Sequence, residues 1–380
     1  MLSVQNVLSN LESAIKEAGV DEKISSIKAY FCVLNYYKPF EIATSRTEQD
    51  RVLLVEIETE TTRGFGESSI PASISRENLM ETLTHLGPGL KEKNLSDALR
   101  SIIETLPERP YRLAFSIAIL DAIARLLGKN FGELFAPVTT PEVFTDITIG
   151  IEPLEETLKD VTKALEMGFK SIKLKVGKGG VEVDFERIKA VADMLPSEVS
   201  LRIDANQGWT YQEAREIIPR IDKLPANIEF IEQPLPRDRI DEINELRKLT
   251  ELPIIVDESF RKSSDLENVL GKVDGINLKI AKAGDPIDVF VSGRNAKEHG
   301  LLVMIGCAGE TNIGITVDSY LASVIPVDFA DLDSDLLKED ILKQPVTRFE
   351  NSKRILPMRK GLGITDEDIN EEKLSLIYSI

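Results

Sequence analysis

From about residue 143 onward, the sequence repeats one unit made of a short apolar strand, a loop and an amphipathic helix. A strand, a crossover helix and two loops occupy a few tens of residues, and neighbouring predicted strands end 22 to 29 residues apart (differences between successive end positions). The eight predicted strand ends are Gly150, Lys175, Asp204, Glu232, Asp257, Lys279, Gly306 and Asp331. Eight such units in series predict a parallel (β/α)8-type barrel.

An open, doubly wound sheet is the alternative fold for alternating strands and helices. That fold places a glycine-rich dinucleotide-binding turn directly after its first strand. Residues 149–153, Ile-Gly-Ile-Glu-Pro, contain no such turn. The barrel is therefore the favoured fold.

The chain has 380 residues, more than the usual size of one domain, so a second unit is expected. Residues 26–135 mix two predicted antiparallel strands with helices and predict an α+β domain. Apolar residues at helical spacing between Val4 and Ala18 predict an amphipathic helix before it. We divide the chain into an N-terminal helical extension (1–25), an α+β capping domain (26–135), a barrel (136–334) and a C-terminal segment that returns to the cap (335–380).

Charge and composition exclude several classes of protein. A net charge of −18 argues against nucleic acid or an anionic membrane as a partner. No apolar run reaches the roughly 18 residues that a membrane-spanning helix needs. Two cysteines, Cys32 and Cys307, cannot form a disulfide framework, so we expect a cytoplasmic protein. The chain has two histidines, which excludes histidine-rich zinc sites.

Three successive predicted strands end in a carboxylate: Asp204, Glu232 and Asp257. The carboxyl ends of barrel strands surround one mouth, so these three groups are expected to converge there. Converging carboxylates repel unless a cation neutralises them, and ligation by oxygen alone suits Mg²⁺ or Mn²⁺. Each carboxylate taken singly could instead cap a helix at a strand-to-helix turn.

Lysines end two other strands. Lys173 and Lys175 lie on one face of their strand, and inside a closed barrel both point inward. Taken alone, they could equally guard a solvated edge strand. We expect the two ammonium groups to lower each other's pKa, which would make one of them a base near neutrality.

Lys279 is predicted to face Lys175 across the mouth and is preferred to Lys282, which lies past the strand. Two lysines on opposite sides of a metal-bound carboxylate predict that a proton is removed from one face of a carbon and returned to the other.

The ordered motifs KLK (173–175), DAN (204–206), EQP (232–234), DES (257–259) and LKIAK (278–282) resemble the muconate-lactonising enzyme subgroup of the enolase superfamily. The resemblance implies a modified TIM barrel, (β/α)7β, with an α+β capping domain formed by the N-terminal region and the C-terminal tail. It implies that Asp204, Glu232 and Asp257 bind Mg²⁺, that Lys175 and Lys279 are the acid/base pair, and that Lys173 polarises the substrate carboxylate. The end of the seventh strand, MIGCAGET, has no histidine, which argues against the mandelate racemase subgroup.

Asp331-Leu332-Asp333, at the end of the eighth strand, is similar to the DxD motif of dipeptide epimerases of the L-Ala-D/L-Glu epimerase type. In that family the two aspartates hold the substrate's α-ammonium, and the resemblance places Glu310 near the peptide. The predicted function is a Mg²⁺-dependent dipeptide epimerase that performs a 1,1-proton transfer, through an enediolate, at the α carbon of the C-terminal residue.

The alternatives are a muconate cycloisomerase, an o-succinylbenzoate synthase or an N-succinylamino acid racemase, whose substrates carry no ammonium at that place. A non-catalytic binding scaffold is a further alternative of a different class. Residues 35–49 leave the dipeptide open, since Lys38 and Arg46 would suit an acidic second residue whereas Tyr36 and Tyr37 would suit an apolar one. Assembly into a homo-oligomer is also left open.

Overall fold

The computed structural model describes residues 1–107 and 110–380, and its N-terminal region is an antiparallel sheet backed by helices. In chain order the elements are α1 (Val4–Ala18), β1 (Ser26–Ile42), β2 (Ser45–Glu58), β3 (Arg63–Ser69), α2 (Arg76–Leu90), α3 (Leu95–Thr105) and α4 (Pro110–Leu126). Helix α4 is buried on nearly all its faces, in agreement with the apolar residues that its sequence carries on nearly all of them. It packs against β3, where a Cβ on Gly64 or Gly66 would lie 1.9–2.1 Å from a carbonyl oxygen of α4. Glycine at both positions is what allows this close approach.

Parallel strands and outer helices alternate through the next part of the chain. The elements are β4 (Glu142–Phe144), β5 (Ile147–Ile149), α5 (Leu154–Glu166), β6 (Ser171–Lys175), α6 (Val181–Met194), β7 (Ser200–Asp204), α7 (Tyr211–Ile221), β8 (Ile228–Glu232), α8 (Ile240–Leu246), β9 (Ile254–Val256), α9 (Leu266–Val269), β10 (Gly275–Leu278), α10 (Ile280–Ala283), α11 (Pro286–Glu298), β11 (Leu302–Gly306), α12 (Asn312–Val324) and β12 (Phe329–Asp331). Strands β5 to β12 form one eight-stranded parallel sheet in chain order. This sheet and the antiparallel cap confirm the predicted fold class.

Side-chain hydrogen bonds join the first and last strands of the barrel. The backbone N–H of Thr148 in β5 donates to Oδ2 of Asp333 at 2.6 Å, just past the end of β12. The N–H of Leu332 donates to Oγ1 of Thr145 at 2.8 Å. The seam of the barrel is therefore held partly by the Asp331-Leu332-Asp333 segment itself.

The C-terminal segment adds β13 (Arg348–Glu350), β14 (Lys353–Ile355) and β15 (Ser375–Ser379). Strand β15 pairs with β1, so the cap sheet has the order β15-β1-β2-β3. The boundaries that we drew at residues 25, 135 and 334 stay predictions. Within the described residues, none of the helices combines the length and the apolar character that crossing a bilayer requires.

The first predicted barrel strand, which starts at about residue 143 and ends at Gly150, is divided in the structure. Its beginning belongs to β4, which pairs with β14, and its end is β5 of the barrel. Between them Asp146 is buried and its carboxylate accepts from Nη1 of Arg202 at 2.7 Å. A buried charge needs its partner, so this ion pair fixes the chain where it passes from one sheet to the other.

Helix α1 connects the cap to the outside of the barrel. Its buried face, Val7, Leu8, Leu11 and Ile15, contacts α3 and α11. Just before the helix, the backbone N–H and C=O of Leu2 both bond to the side-chain amide of Asn295 in α11, at 2.9 Å each. The helix therefore packs on both parts of the molecule at once.

We expect Leu8→Ala to lower the free energy of unfolding by about 2–5 kcal/mol, because Leu8 is buried and its loss leaves a cavity. Ser9→Ala, on the exposed face of the same helix, is the matched control and should change it by no more than about 0.5 kcal/mol. Urea denaturation of both variants measures the difference. Equal stabilities would mean that α1 is not packed in solution.

Candidate active site

The polar side chains predicted to form a site lie at the carboxyl end of the barrel. Lys175, Asp204 and Glu232 are the last residues of β6, β7 and β8, and the strand register pairs Lys175 with Asp204 and Asp204 with Glu232. Asp257 and Lys279 follow β9 and β10 by one residue. All five side chains are buried. The parallel register thus places the predicted metal ligands and lysines beside one another at one mouth.

Every one of the three predicted metal ligands contacts a lysine ammonium. Lys175 Nζ lies 2.6 Å from Asp204 Oδ2, and Lys279 Nζ lies 2.8 Å from Asp257 Oδ2. Lys173 Nζ lies 2.7 Å from Glu232 Oε2 and 3.3 Å from Asp204 Oδ2. The ammonium groups therefore lie among the carboxylates and partly neutralise them.

The electrostatics of the lysines differ from the prediction. Burial alone would lower the pKa of Lys173, but the carboxylates of Asp331 and Glu232 outweigh it and hold that pKa well above its usual value. Burial is likewise outweighed at Lys279, where Asp257 raises the pKa. The expectation that repulsion between Lys173 and Lys175 dominates was wrong for Lys173, because carboxylates of β7, β8 and β12 lie 2.7–3.3 Å from its ammonium.

Lys282 also contacts Asp257, but its ammonium is held in place by several hydrogen bonds. It donates to the backbone oxygens of Asp257, Phe260 and Asn277 at 2.7–3.0 Å as well as to the Asp257 carboxylate. Burial lowers the pKa of Lys282. An ammonium fixed by three carbonyl groups is poorly placed to move towards a substrate, which favours Lys279 as the acid/base group.

The residues present fit a divalent cation. Burial raises the pKa of Glu232, and the neighbouring charges of Asp204 and Asp257 raise it further, against the effect of Lys173 and Lys279. Asn277 Nδ2 orients Glu232 by donating to Oε1 at 2.7 Å, and the buried Oδ1 of Asn206 has no hydrogen-bond partner among the described residues. An all-oxygen set of buried carboxylates and amides suits Mg²⁺.

Glu258 is a site residue that the sequence reasoning missed. Its Oε1 lies 3.3 Å from Asn206 Nδ2, and burial together with the charges of Asp257 and Asp204 raises its pKa to about 7. Its position directly after Asp257 was the only signal in the sequence.

The two aspartates at the end of β12, Asp331 and Asp333, are brought together. Asp331 Oδ2 lies 2.7 Å from Lys173 Nζ, and its Oδ1 accepts from Thr148 Oγ1 at 3.2 Å. Asp333 is beside them, and burial and the charge of Asp331 raise its pKa to about 6. Cys307 Sγ and oxygens of both aspartates lie within 4.8 Å of one another. Two neighbouring buried carboxylates are a favourable place for a cation.

Glu310 lies in the loop after β11, and a cap residue fixes that loop. Its carboxylate accepts from the N–H of Ala308, and burial raises its pKa. Glu67 of β3, which the sequence reasoning missed, accepts from the N–H groups of Thr311 and Gly314 at 2.8 and 2.7 Å. The cap therefore holds the first turn of α12 and with it the segment that carries Glu310.

A cavity of about 290 Å³ lies between the cap and the barrel mouth. Lys175, Lys279, Asp257, Asp331 and Asp333 line it from the barrel side. Strands β6 and β10, which carry the two lysines, are four positions apart in the eight-stranded sheet and so lie on opposite sides of the mouth. A molecule in this cavity has Lys175 and Lys279 on opposite sides and lies beside the carboxylates of Asp257, Asp331 and Asp333.

This fold and site define a barrel enzyme of the enolase type, with a cap closing the carboxyl end of the strands. Residues 156–369 match the family model described as enolase C-terminal domain-like. The chain belongs to this family.

Known proteins are similar to this chain over most of its length. The L-Ala-D/L-Glu epimerase of Thermotoga maritima is 30% identical over 84% of this chain and 95% of its own length. The substrate-liganded L-Ala-D/L-Glu epimerase of Bacillus subtilis is 28% identical, with a TM-score of 0.82 over 90% of this chain and 98% of that chain. The dipeptide epimerase of Enterococcus faecalis, solved with Mg and L-Leu-L-Tyr, is 27% identical, with a TM-score of 0.83 over 90% and 99%. These likenesses confirm the family and fold predicted from the motifs.

Proposed function

We propose that this protein is a Mg²⁺-dependent dipeptide epimerase. The observation that carries the proposal is the pair of buried lysines, Lys175 and Lys279, on opposite sides of a mouth that also holds two sets of carboxylates. A binding scaffold would gain nothing from two opposed buried ammonium groups. The relatives named above act on dipeptides, and their likeness extends over both cap and barrel.

The substrate is oriented by its two charged ends. Asp204, Glu232 and Asp257 would hold Mg²⁺, which neutralises the negative charge that develops on the substrate carboxylate. Asp331 and Asp333 would receive the α-ammonium, with Thr148 holding both carboxylates in place. A dipeptide bound at both ends presents the α carbon of its second residue between the lysines.

Epimerisation then needs one lysine as base and the other as acid. In one direction the neutral amine of Lys175 or Lys279 takes the α-proton, and the ammonium of the opposite lysine gives a proton to the other face. Which lysine starts depends on the configuration of the substrate.

We expect Asp333→Asn to lower kcat/KM for free dipeptides by well over tenfold, since losing one partner of a buried charge pair costs about 2–5 kcal/mol. N-acetylated dipeptides, which lack the cation, should be poor substrates of the unmodified protein. Proton NMR of α-proton exchange in D₂O with Mg²⁺ present measures both.

Asp366→Asn makes the same chemical change at an exposed cap position and should leave kcat/KM unchanged. If the unmodified protein preferred N-acylated amino acids to dipeptides, the epimerase proposal would fall and an N-acylamino acid racemase would replace it.

A further inference from the structure

The cap side of the cavity is formed by the end of β1 and the start of β2. The cap residues that line it are Tyr36, Phe40, Ile42, Ser45, Thr47 and Asp50. The rings of Tyr36 and Phe40 stack with centroids 6.0 Å apart. This wall is therefore aromatic and aliphatic, with small hydroxyl groups between.

The two cations of this hairpin that could pair with an acidic substrate side chain are turned elsewhere. Lys38 is held by Glu152 and Asp160 on the outside of the barrel. The side chain of Arg46 is 58% exposed, and Glu41 and Glu48 are its neighbours. Neither cation lines the cavity.

The acidic residue of this wall is also neutralised within the protein. Asp50 Oδ2 lies 2.6 Å from Nζ of Lys338 and 2.8 Å from the hydroxyl of Tyr36, which donates to it. Lys338 is completely buried and donates as well to the C=O of Gly309. Among the described residues, the ammonium and guanidinium groups that line the cavity are those of Lys175 and Lys279, which flank the reacting carbon.

In the binding mode proposed above, the substituents of the reacting carbon would point in separate directions: the carboxylate towards the metal ligands, the proton towards a lysine, and the amide nitrogen towards Asp331 and Asp333. The side chain would then face the cap wall, which lines the cavity opposite the barrel. A substrate carboxylate against this wall would lose its hydration without forming an ion pair. An apolar side chain would instead bury its surface against apolar groups.

We infer that the substrates are dipeptides whose second residue, the one epimerised, is uncharged and apolar, and not dipeptides that end in glutamate. This inference rests on the proposed function. It separates this chain from the Thermotoga maritima relative named for L-Ala-D/L-Glu, and it is consistent with the L-Leu-L-Tyr that the Enterococcus faecalis enzyme binds.

The test compares kcat/KM for L-Ala-L-Leu, L-Ala-L-Phe, L-Ala-L-Gln and L-Ala-L-Glu, with epimerisation followed by α-proton exchange in D₂O. We expect the apolar dipeptides to exceed L-Ala-L-Glu by about tenfold or more, because a buried polar group left unpaired is rejected strongly. Ile42→Arg adds a cation to the wall and should shift the Glu-to-Leu ratio by about tenfold towards glutamate. Thr47→Arg makes the same addition from β2 and keeps the test valid if the first variant does not fold.

Arg46→Ala is the matched control, because it removes a cation from the same hairpin outside the cavity. It should leave the Glu-to-Leu ratio unchanged. If the unmodified protein preferred L-Ala-L-Glu to the apolar dipeptides, the inference would be overturned. It would also be overturned if Arg46→Ala lowered the Glu-to-Leu ratio. Either result would leave the proposed function unaffected. Failure to exchange the α-proton of any dipeptide would overturn the proposed function itself, and the inference with it.

Discussion

Lys175→Ala and Lys279→Ala are each expected to lower the rate of epimerisation by about 10³-fold or more. A positioned acid or base contributes about 10²–10⁴-fold, and epimerisation needs both proton removal and proton return. Each variant keeps one lysine. It should therefore still exchange the α-proton of the one stereoisomer whose α-proton points towards that lysine. Deuterium uptake measured separately with the L,L and L,D forms of one dipeptide distinguishes these activities.

Lys189→Ala is the matched control, since this lysine lies exposed on α6 and pairs with Asp193. It should have full activity. If Lys279→Ala retained full epimerisation, the acid/base role would have to pass to Lys282, whose ammonium would then need to leave its three carbonyl partners. Loss of exchange with both stereoisomers in either variant would contradict the two-lysine arrangement.

Glu232→Gln is expected to abolish turnover and to weaken Mg²⁺ binding while the protein stays folded. Glutamine matches the shape of glutamate and can still accept from Asn277, but it removes one of three charges that a divalent cation needs. Mg²⁺ at about 100 times its dissociation constant stabilises a folded protein by about 2.7 kcal/mol, so it should raise the melting temperature of the unmodified protein and not that of the variant.

Calorimetric titration with Mg²⁺, and with Mn²⁺ as a second ion of similar ligand preference, measures the binding directly. Glu245→Gln, on the exposed surface of α8, is the control and should bind and turn over normally. Full activity after exhaustive chelation would remove the metal from the proposal.

Much of the site could be predicted because, in a parallel barrel, the order of the strands in the sequence is also their order around the barrel. Once the strands are recognised, their ends must meet at one mouth, and this places Lys175, Asp204 and Glu232 side by side. The same reasoning located Lys279 on the side opposite Lys175. The motifs then indicated the family, and the comparisons with known proteins confirm it.

Residues that act from other elements were beyond this reasoning. Glu67 reaches the start of α12 from the cap, and Thr148 holds Asp331 and Asp333 from the first strand of the barrel. Nothing near these residues in the sequence indicates such contacts, because each joins segments separated by more than 180 positions.

The sequence by itself determined the barrel, the cap and the order of charged strand ends, because apolar periodicity and strand spacing are local properties of the chain. Only the tertiary structure decided the charge state of Lys173 and the orientation of Lys38 and Arg46. The pKa of Lys173 depends on carboxylates contributed by β7, β8 and β12. Of the two cap cations, Lys38 pairs with Glu152 and Asp160, and the side chain of Arg46 is exposed to solvent. Electrostatic energy depends on distances between charges, and those distances exist only once the chain is folded.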